Sequence, residues 1–217
     1  MGTGTTTVLQ EMLRSGVSPV ELRDRFALKT TRHREHPNLV LFKYDQINSP
    51  FVERVVQESR GIVLDEADSW RCVSRAFDKF FNHGEGHAAA VDWSTARVQE
   101  KVDGSLCTLY HYQDAWRVAT SGTPDASGEV NGFGFTFASL FWRMFREMGP
   151  LPFASESDLC FIFELTSPWN RVVVRHAVES LTLLAVRDRV TGLEVQPEYF
   201  GDRYPVVRSF SLASLAD

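Results

Sequence analysis

The chain has 217 residues, 43% of them hydrophobic and 12% aromatic, enough to bury a core as one domain or as a domain with a small appendage, so a disordered tail is excluded. Twenty-three basic residues against 28 acidic ones leave a formal net charge of −5, which argues against a protein that coats long nucleic acid through a broad positive field but leaves room for a local basic cleft. Apolar runs are short and broken by charges, and "MGTGTTTVLQ" lacks the basic flank and apolar core of a signal peptide, so the expectation is a cytoplasmic protein with no membrane segment.

Gly2 and Thr6 fit a myristoylation pattern that is too short to carry weight. Next, "SGVSPVELRDRFAL" predicts a helix: Ser18 can cap, Pro19 suits the first position and Glu21 completes a capping box. Residues 1–38 are accordingly expected to form an N-terminal helical segment ahead of a domain over 39–217. There, "NLVLFKYDQI", "RGIVLD", "RCVSRAF", "ARVQEKVDG", "SLCTLYHY", "AWRVATSG", "CFIFELTS" and "SLTLLAVRDR" read as brief strands between turn residues. Most intervals are too short for crossover helices, so the pairing should be antiparallel. The stretch 121–134, "SGTPDASGEVNGFG", reads as a mobile loop beside a cleft. "FTFASLFWRMFREM" sets Phe137, Leu140, Phe141, Met144, Phe145 and Met148 at helical spacing, a core-packing stripe. The fold class is therefore α+β, with bent antiparallel sheets and flanking helices.

Cys72, Cys107 and Cys160 are odd in number and widely spaced, which fits reduced, buried thiols rather than disulfides or a zinc site. The six histidines show no metal-ligand spacing and read as turn and surface residues.

Lysine is rare: Lys29, Lys43, Lys79 and Lys101 stand among 23 basic residues. On an extended 97–102 stretch, Lys101 and Asp103 share a face, and Gly104 permits a close backbone approach. A lysine half withdrawn from water, once unprotonated, is a nucleophile toward phosphorus or carbonyl carbon, the alternative being a surface Lys-Asp pair. Arg60 and Lys79 can hold phosphate oxygens, and Phe80 or Phe81 can stack on a base. In "CFIFELTSPWNRVVV", Phe161, Phe163 and Leu165 alternate, so Glu164 faces the other way and needs a ribose hydroxyl, a cation or an arginine, Arg171 or Arg175 being the plain alternative.

Taken in order, "SRGIVLD", "FDKFFNHGE", "EKVDGSL" and "FIFELTSPWNRVVV" resemble the phage-type RNA ligase 1 family, within the covalent lysine nucleotidyltransferases, over about residues 39 to 190. The resemblance implies a nucleotidyltransferase (ATP-grasp-like) domain over 39–217. It implies that Lys101 attacks the α-phosphorus of ATP, that Arg60 and Lys79 engage the nucleotide and its phosphates, and that Phe81 lines its pocket. It further implies that Asp103 and Gly104 shape the nucleotide site and that Glu164 holds the ribose. ATP and Mg²⁺ are implied as cofactors, and RNA with 5′-phosphate and 3′-hydroxyl ends as substrate; the metal ligands are left open.

Two late family motifs, a Glu-Gly strand and a Lys-x-Lys, have no counterpart here: Glu194 and Glu198 lack a following glycine, and no lysine follows Lys101. The family's lysine after the third core strand is replaced by Thr120-Ser121-Gly122. A fragment of a longer ligase, a short form in which Arg187, Arg189, Arg203 or Arg208 substitutes for the lysines, a partner chain supplying the motifs, and a binding module without chemistry are the accounts this leaves. A Schiff-base enzyme at Lys101 is a different class, and nothing beside the lysine favours it.

Overall fold

The computed structural model describes residues 5–210, so Gly2 lies outside the described residues. Helices α1 (Val8–Arg14), α2 (Pro19–Phe26) and α3 (Arg54–Glu58) accompany a four-stranded sheet of β1 (Lys29–Arg32), β2 (Leu39–Lys43), β3 (Arg60–Asp65) and β4 (Arg71–Ser74), in that order. Ser18 caps α2 with Glu21 reaching back, as the sequence predicts. Thr7 and Gln10 make the same box at α1, a helix the sequence reading passed over.

A second sheet has the order β10-β9-β8-β6-β7, from β6 (Ser105–Tyr112), β7 (Ala115–Thr120), β8 (Leu159–Thr166), β9 (Ser180–Asp188) and β10 (Glu194–Val195). A short pair joins β5 (Val98–Gln99) to β11 (Ser209–Phe210). The strand pairs are antiparallel. Helix α4 (Phe137–Met148) covers the outer face of the second sheet.

Strand β2 shows how the layers form. Val40 and Phe42 face α1, α2 and α3, whereas Leu39 and Leu41 face the second sheet and pack with Tyr110, Tyr112 and Cys160. Its unbroken apolar run "LVLF" follows, because both faces of the strand are covered. On β8, Phe161, Phe163 and Leu165 meet the α4 residues Leu140, Phe141 and Phe145, and Ile162 points between the sheets toward Ala76 and Ala185.

Three expectations are corrected. The boundary at residue 38 falls between β1 and β2, which are paired, and α1 and α2 pack on the same sheet, so the N-terminal segment shares the domain's core. The 121–134 stretch is packed over its first part, with residues 131–134 exposed: Ala126 and Val130 are buried, and Ala126 and Gly128 carbonyls accept from the Ala138 and Phe137 N–H groups that open α4. The 96–104 stretch is a strand only at Val98–Gln99. Beyond it, the Gly104 N–H and the Asp103 carbonyl bond side chains instead of a ladder neighbour.

Between the sheets, the Tyr112 hydroxyl donates to Asp65 (3.0 Å) and accepts from Asn38 Nδ2 (2.8 Å), and Asn38 also donates to Asp65 (2.7 Å). Tyr112→Phe takes one partner from each of Asp65 and Asn38, which keep their bond to one another, and a loss of about 0.5–1.5 kcal/mol in urea unfolding is expected. All three cysteines are free and buried, as the sequence predicts.

Candidate active site

The turn Lys101-Val102-Asp103-Gly104 sits where the first strand of the second sheet's centre begins, and three contacts hold it. Gly104 donates its N–H to Glu164 Oε1 at 3.0 Å. The Asp103 carboxylate accepts the Val173 and Val174 N–H groups at 2.8 and 2.6 Å. The Asp103 carbonyl lies 2.7 Å from His176 Nε2. Residues 171–176 thus strap the turn from outside while Glu164 holds it from beneath.

Glycine at 104 answers a demand for space. A Cβ there would stand 2.3 Å from the Leu165 carbonyl oxygen and 2.9 Å from Thr166 Cγ2. The "TSPWN" run closes the same corner: Asn170 Nδ2 donates to the Leu165 carbonyl (2.9 Å) and to Ser105 Oγ (3.1 Å), and Ser167 Oγ accepts from the Asn170 N–H (3.2 Å).

Lys101 itself is corrected from half-withdrawn to open: its side chain is 90% exposed, with Nζ 4.0 Å from Asp103 Oδ1. Glu164 is the buried member. Burial pushes its carboxyl up to about 7, partly offset by the Gly104 N–H and by the charges of Lys101 and Arg60. Its partner is the Gly104 backbone; among the described residues it forms no ion pair with Arg171 or Arg175. A raised acid pKa favours folding while the carboxyl is protonated, and that contribution is lost as pH rises from 4.5 through about 7. Glu164→Gln is therefore expected to flatten this part of the stability profile, read as wild-type minus variant melting temperature across that range.

Arg60 opens β3 and places its guanidinium 4.6 Å over the Phe80 ring. Gly61 beside it has φ +93°, and a Cβ would lie 3.0 Å from Ser121 Cα, so it is Gly61 that lets β3 approach the Thr120-Ser121-Gly122 corner. Lys79 and Phe81 form a separate cluster: Lys79 Nζ lies 5.1 Å from the Phe81 ring centre and 5.4 Å from that of Phe51, and donates to the Phe80 carbonyl. Phe81 meets Phe51 and His87 edge-on. Among the described residues no hydrogen bond or ion pair joins Lys79 to Lys101 or Glu164; the link between the clusters is Arg60, which donates to the Asp78 carbonyl (3.2 Å).

The structure thus brings together a buried carboxylate, a glycine whose N–H it accepts and an accessible lysine, with Arg60 as the link to the separate Lys79–Phe81 cluster. A family model described as RNA ligase matches residues 58–209, well over half of the chain. This chain belongs to the RNA ligase family. It is 30% identical over 210 residues to an RNA ligase of Rhodothermus phage RM378, covering 80% of this chain and 46% of that protein. It is 29% identical over 193 residues to a protein of Autographa californica nuclear polyhedrosis virus described as a bifunctional polynucleotide kinase/RNA ligase, covering 79% of this chain and 27% of that one. The chain thus spans less than half the length of either relative. An archaeal ATP-dependent RNA ligase superposes with a TM-score of 0.56 at 17% identity, covering 93% of this chain and 52% of the other, a likeness of fold. The domain therefore shares the fold of that archaeal ligase over most of its length.

In this RNA ligase family member most of the arginines weighed as lysine substitutes are engaged elsewhere. Arg203 pairs with Glu156 (2.6 Å), Arg189 with Asp158 (2.9 Å) and Arg187 with Asp78 (3.3 Å). Arg208 is the one brought beside the lysine turn, since its carbonyl accepts the Glu100 N–H (2.9 Å) through the β5–β11 pair. No group of three His, Cys, Asp or Glu that could hold a metal ion occurs among the described residues. Any Mg²⁺ would therefore be held largely by the phosphates of a bound nucleotide.

Two residues escaped the sequence reading. His176 was placed with turn and surface histidines, yet it braces the lysine turn, and its position five residues past Arg171 in the motif was the available signal. Asp78, the residue before Lys79, is not singled out by the sequence pattern. His33 is also corrected: it is 4% exposed, with Nδ1 accepting the Glu35 and His36 N–H groups.

Proposed function

We propose that this chain carries out the lysine nucleotidylation of an ATP-dependent RNA ligase in the cytosol. The observation that carries the reading is the lysine turn pinned through Gly104 to buried Glu164, with Lys101 left accessible. The unprotonated Lys101 Nζ attacks the α-phosphorus of ATP, the bond to the β-phosphate oxygen breaks, and pyrophosphate leaves with lysyl-AMP formed. AMP then passes to an RNA 5′-phosphate, and a 3′-hydroxyl displaces it to seal the strand.

Each side chain has a part in this. Ionised Glu164 accepts ribose hydroxyls, and Arg60 and Lys79 hold phosphate oxygens as charge develops on them. Asp103 keeps the lysine turn in place: the Val174 and Val173 N–H groups hold its carboxyl below the usual range, so it stays an anion beside Lys101. Phe81 and Phe80 offer ring faces to the base. Bound Mg²⁺ would offset the triphosphate charge.

Intact-mass spectrometry after incubation with ATP and Mg²⁺ tests the reading, with one added AMP as the expected result. A chase with 5′-phosphorylated, 3′-hydroxyl RNA should then discharge the adduct. A folded protein that binds ATP and gains no mass would overturn the catalytic reading.

A further inference from the structure

We propose that Asp78 is a positioning residue for the nucleotide site, gathering three arginines from α3 and from both sheet regions onto one carboxylate and so fixing the segment that carries Lys79 and Phe81. This inference rests on the assignment of Arg60 and Lys79 to the nucleotide phosphates.

The three arginines come from different elements. Arg54 of α3 donates from Nη2 at 2.5 Å, Arg75 just after β4 donates from Nη2 at 3.2 and 3.3 Å, and Arg187 of β9 donates from Nη1 at 3.3 Å. Arg54 has a second acid in Glu58 and Arg187 one in Glu194, but Asp78 is the acidic partner of Arg75 among the described residues. The Arg75 side chain is only 8% exposed. A guanidinium buried to that degree needs its carboxylate close by. Burial pushes the Asp78 carboxyl up, and Arg75, Arg187 and Arg54 outweigh this and hold it below its usual range.

The backbone of the same residue reaches the nucleotide cations. The Asp78 carbonyl accepts Arg60 Nη1 at 3.2 Å, and the next N–H, that of Lys79, donates to the Gln57 carbonyl at 2.8 Å. One anchored residue therefore sets the reach of Arg60 from β3 and of Lys79 from the segment after β4. Release of its carboxylate moves both cations together, and the three guanidinium groups repel one another.

A purely structural role predicts lost stability; a positioning role predicts weaker nucleotide binding that persists once stability is restored. Asp78→Asn removes the anion at constant size, and Asp78→Asn with Arg187→Gln removes one charge of each sign. Lysyl-AMP formation is followed at varied ATP in the full chain, with ATP affinity in Mg²⁺ measured by calorimetry and melting temperature recorded beside both. The expected result is a KM and Kd for ATP raised about 10-fold or more in both variants with a smaller change in kcat, a melting temperature recovered in the double variant, and partial return of KM in Asp78→Glu. A double variant of wild-type stability and wild-type KM overturns the inference and leaves the ligase reading standing. Wild-type protein that binds ATP without forming lysyl-AMP overturns the catalytic reading, and Asp78 is then judged by Kd alone. Wild-type protein that binds no ATP overturns both.

Discussion

Lys101→Ala is expected to carry no covalent nucleotide after incubation with ATP and Mg²⁺ under conditions that label the wild type, a loss of about 10³-fold or more. The amine is the atom that bonds to phosphorus, and no second lysine stands beside it; Lys79 is held in another cluster between two phenylalanine rings. Lys101→Arg should be as inactive, because a guanidinium keeps its proton and its charge. Neither change should disturb folding, since the side chain is 90% exposed and its nearest acid is 4.0 Å away. Calorimetry should still find ATP binding in both variants. Labelling of Lys101→Ala at the wild-type level would move the nucleophile elsewhere and remove the central claim.

Gly104→Ala is expected to be among the most damaging single-methyl additions in the chain. The new Cβ would sit 2.3 Å from the Leu165 carbonyl oxygen and 3.0 Å from its carbon, both backbone atoms of β8. No side-chain rotation relieves that overlap, so the start of β6 has to move off β8, and the Ser105–Leu165 pairing opens with it. The displacement breaks the Gly104 N–H bond to Glu164 and leaves a buried carboxylate without a partner. Overpacking and the orphaned acid together should cost about 3 kcal/mol or more. A shifted midpoint in urea unfolding, with lysyl-AMP formation lost even at temperatures where the variant remains folded, is the result to look for. Wild-type stability would mean that the strands adjust more freely than their close approach indicates.

Local chemistry was readable wherever one residue type admits one explanation. Ser18, Pro19 and Glu21 start α2 because a helix opening has orphan N–H groups that those side chains satisfy. The alternation of Phe161, Phe163 and Leu165 sends Glu164 to the opposite face, since a strand has a period of two. Lys101 and Gly104 stood out because lysine is scarce and glycine marks a close approach. What escaped notice were helix α1, whose capping box uses Thr7 and Gln10, and the short strands β1, β10 and β11, which are held by their neighbours more than by their own composition.

By itself, then, the sequence determined the α+β class, the antiparallel strands, the α4 packing stripe and the family to which the lysine motif belongs. Tertiary structure alone decided that Lys101 is open to solvent while Glu164 is buried beneath it, that the Glu164 partner is a backbone N–H, that His176 meets the Asp103 carbonyl and that three arginines converge on Asp78. The reason is physical. Capping and face alternation depend on residues a few positions apart, whereas burial and partner choice depend on which distant segments the fold packs together. Gly104 meets Glu164 across 60 residues and Arg187 meets Asp78 across 109, separations at which no local pattern carries information.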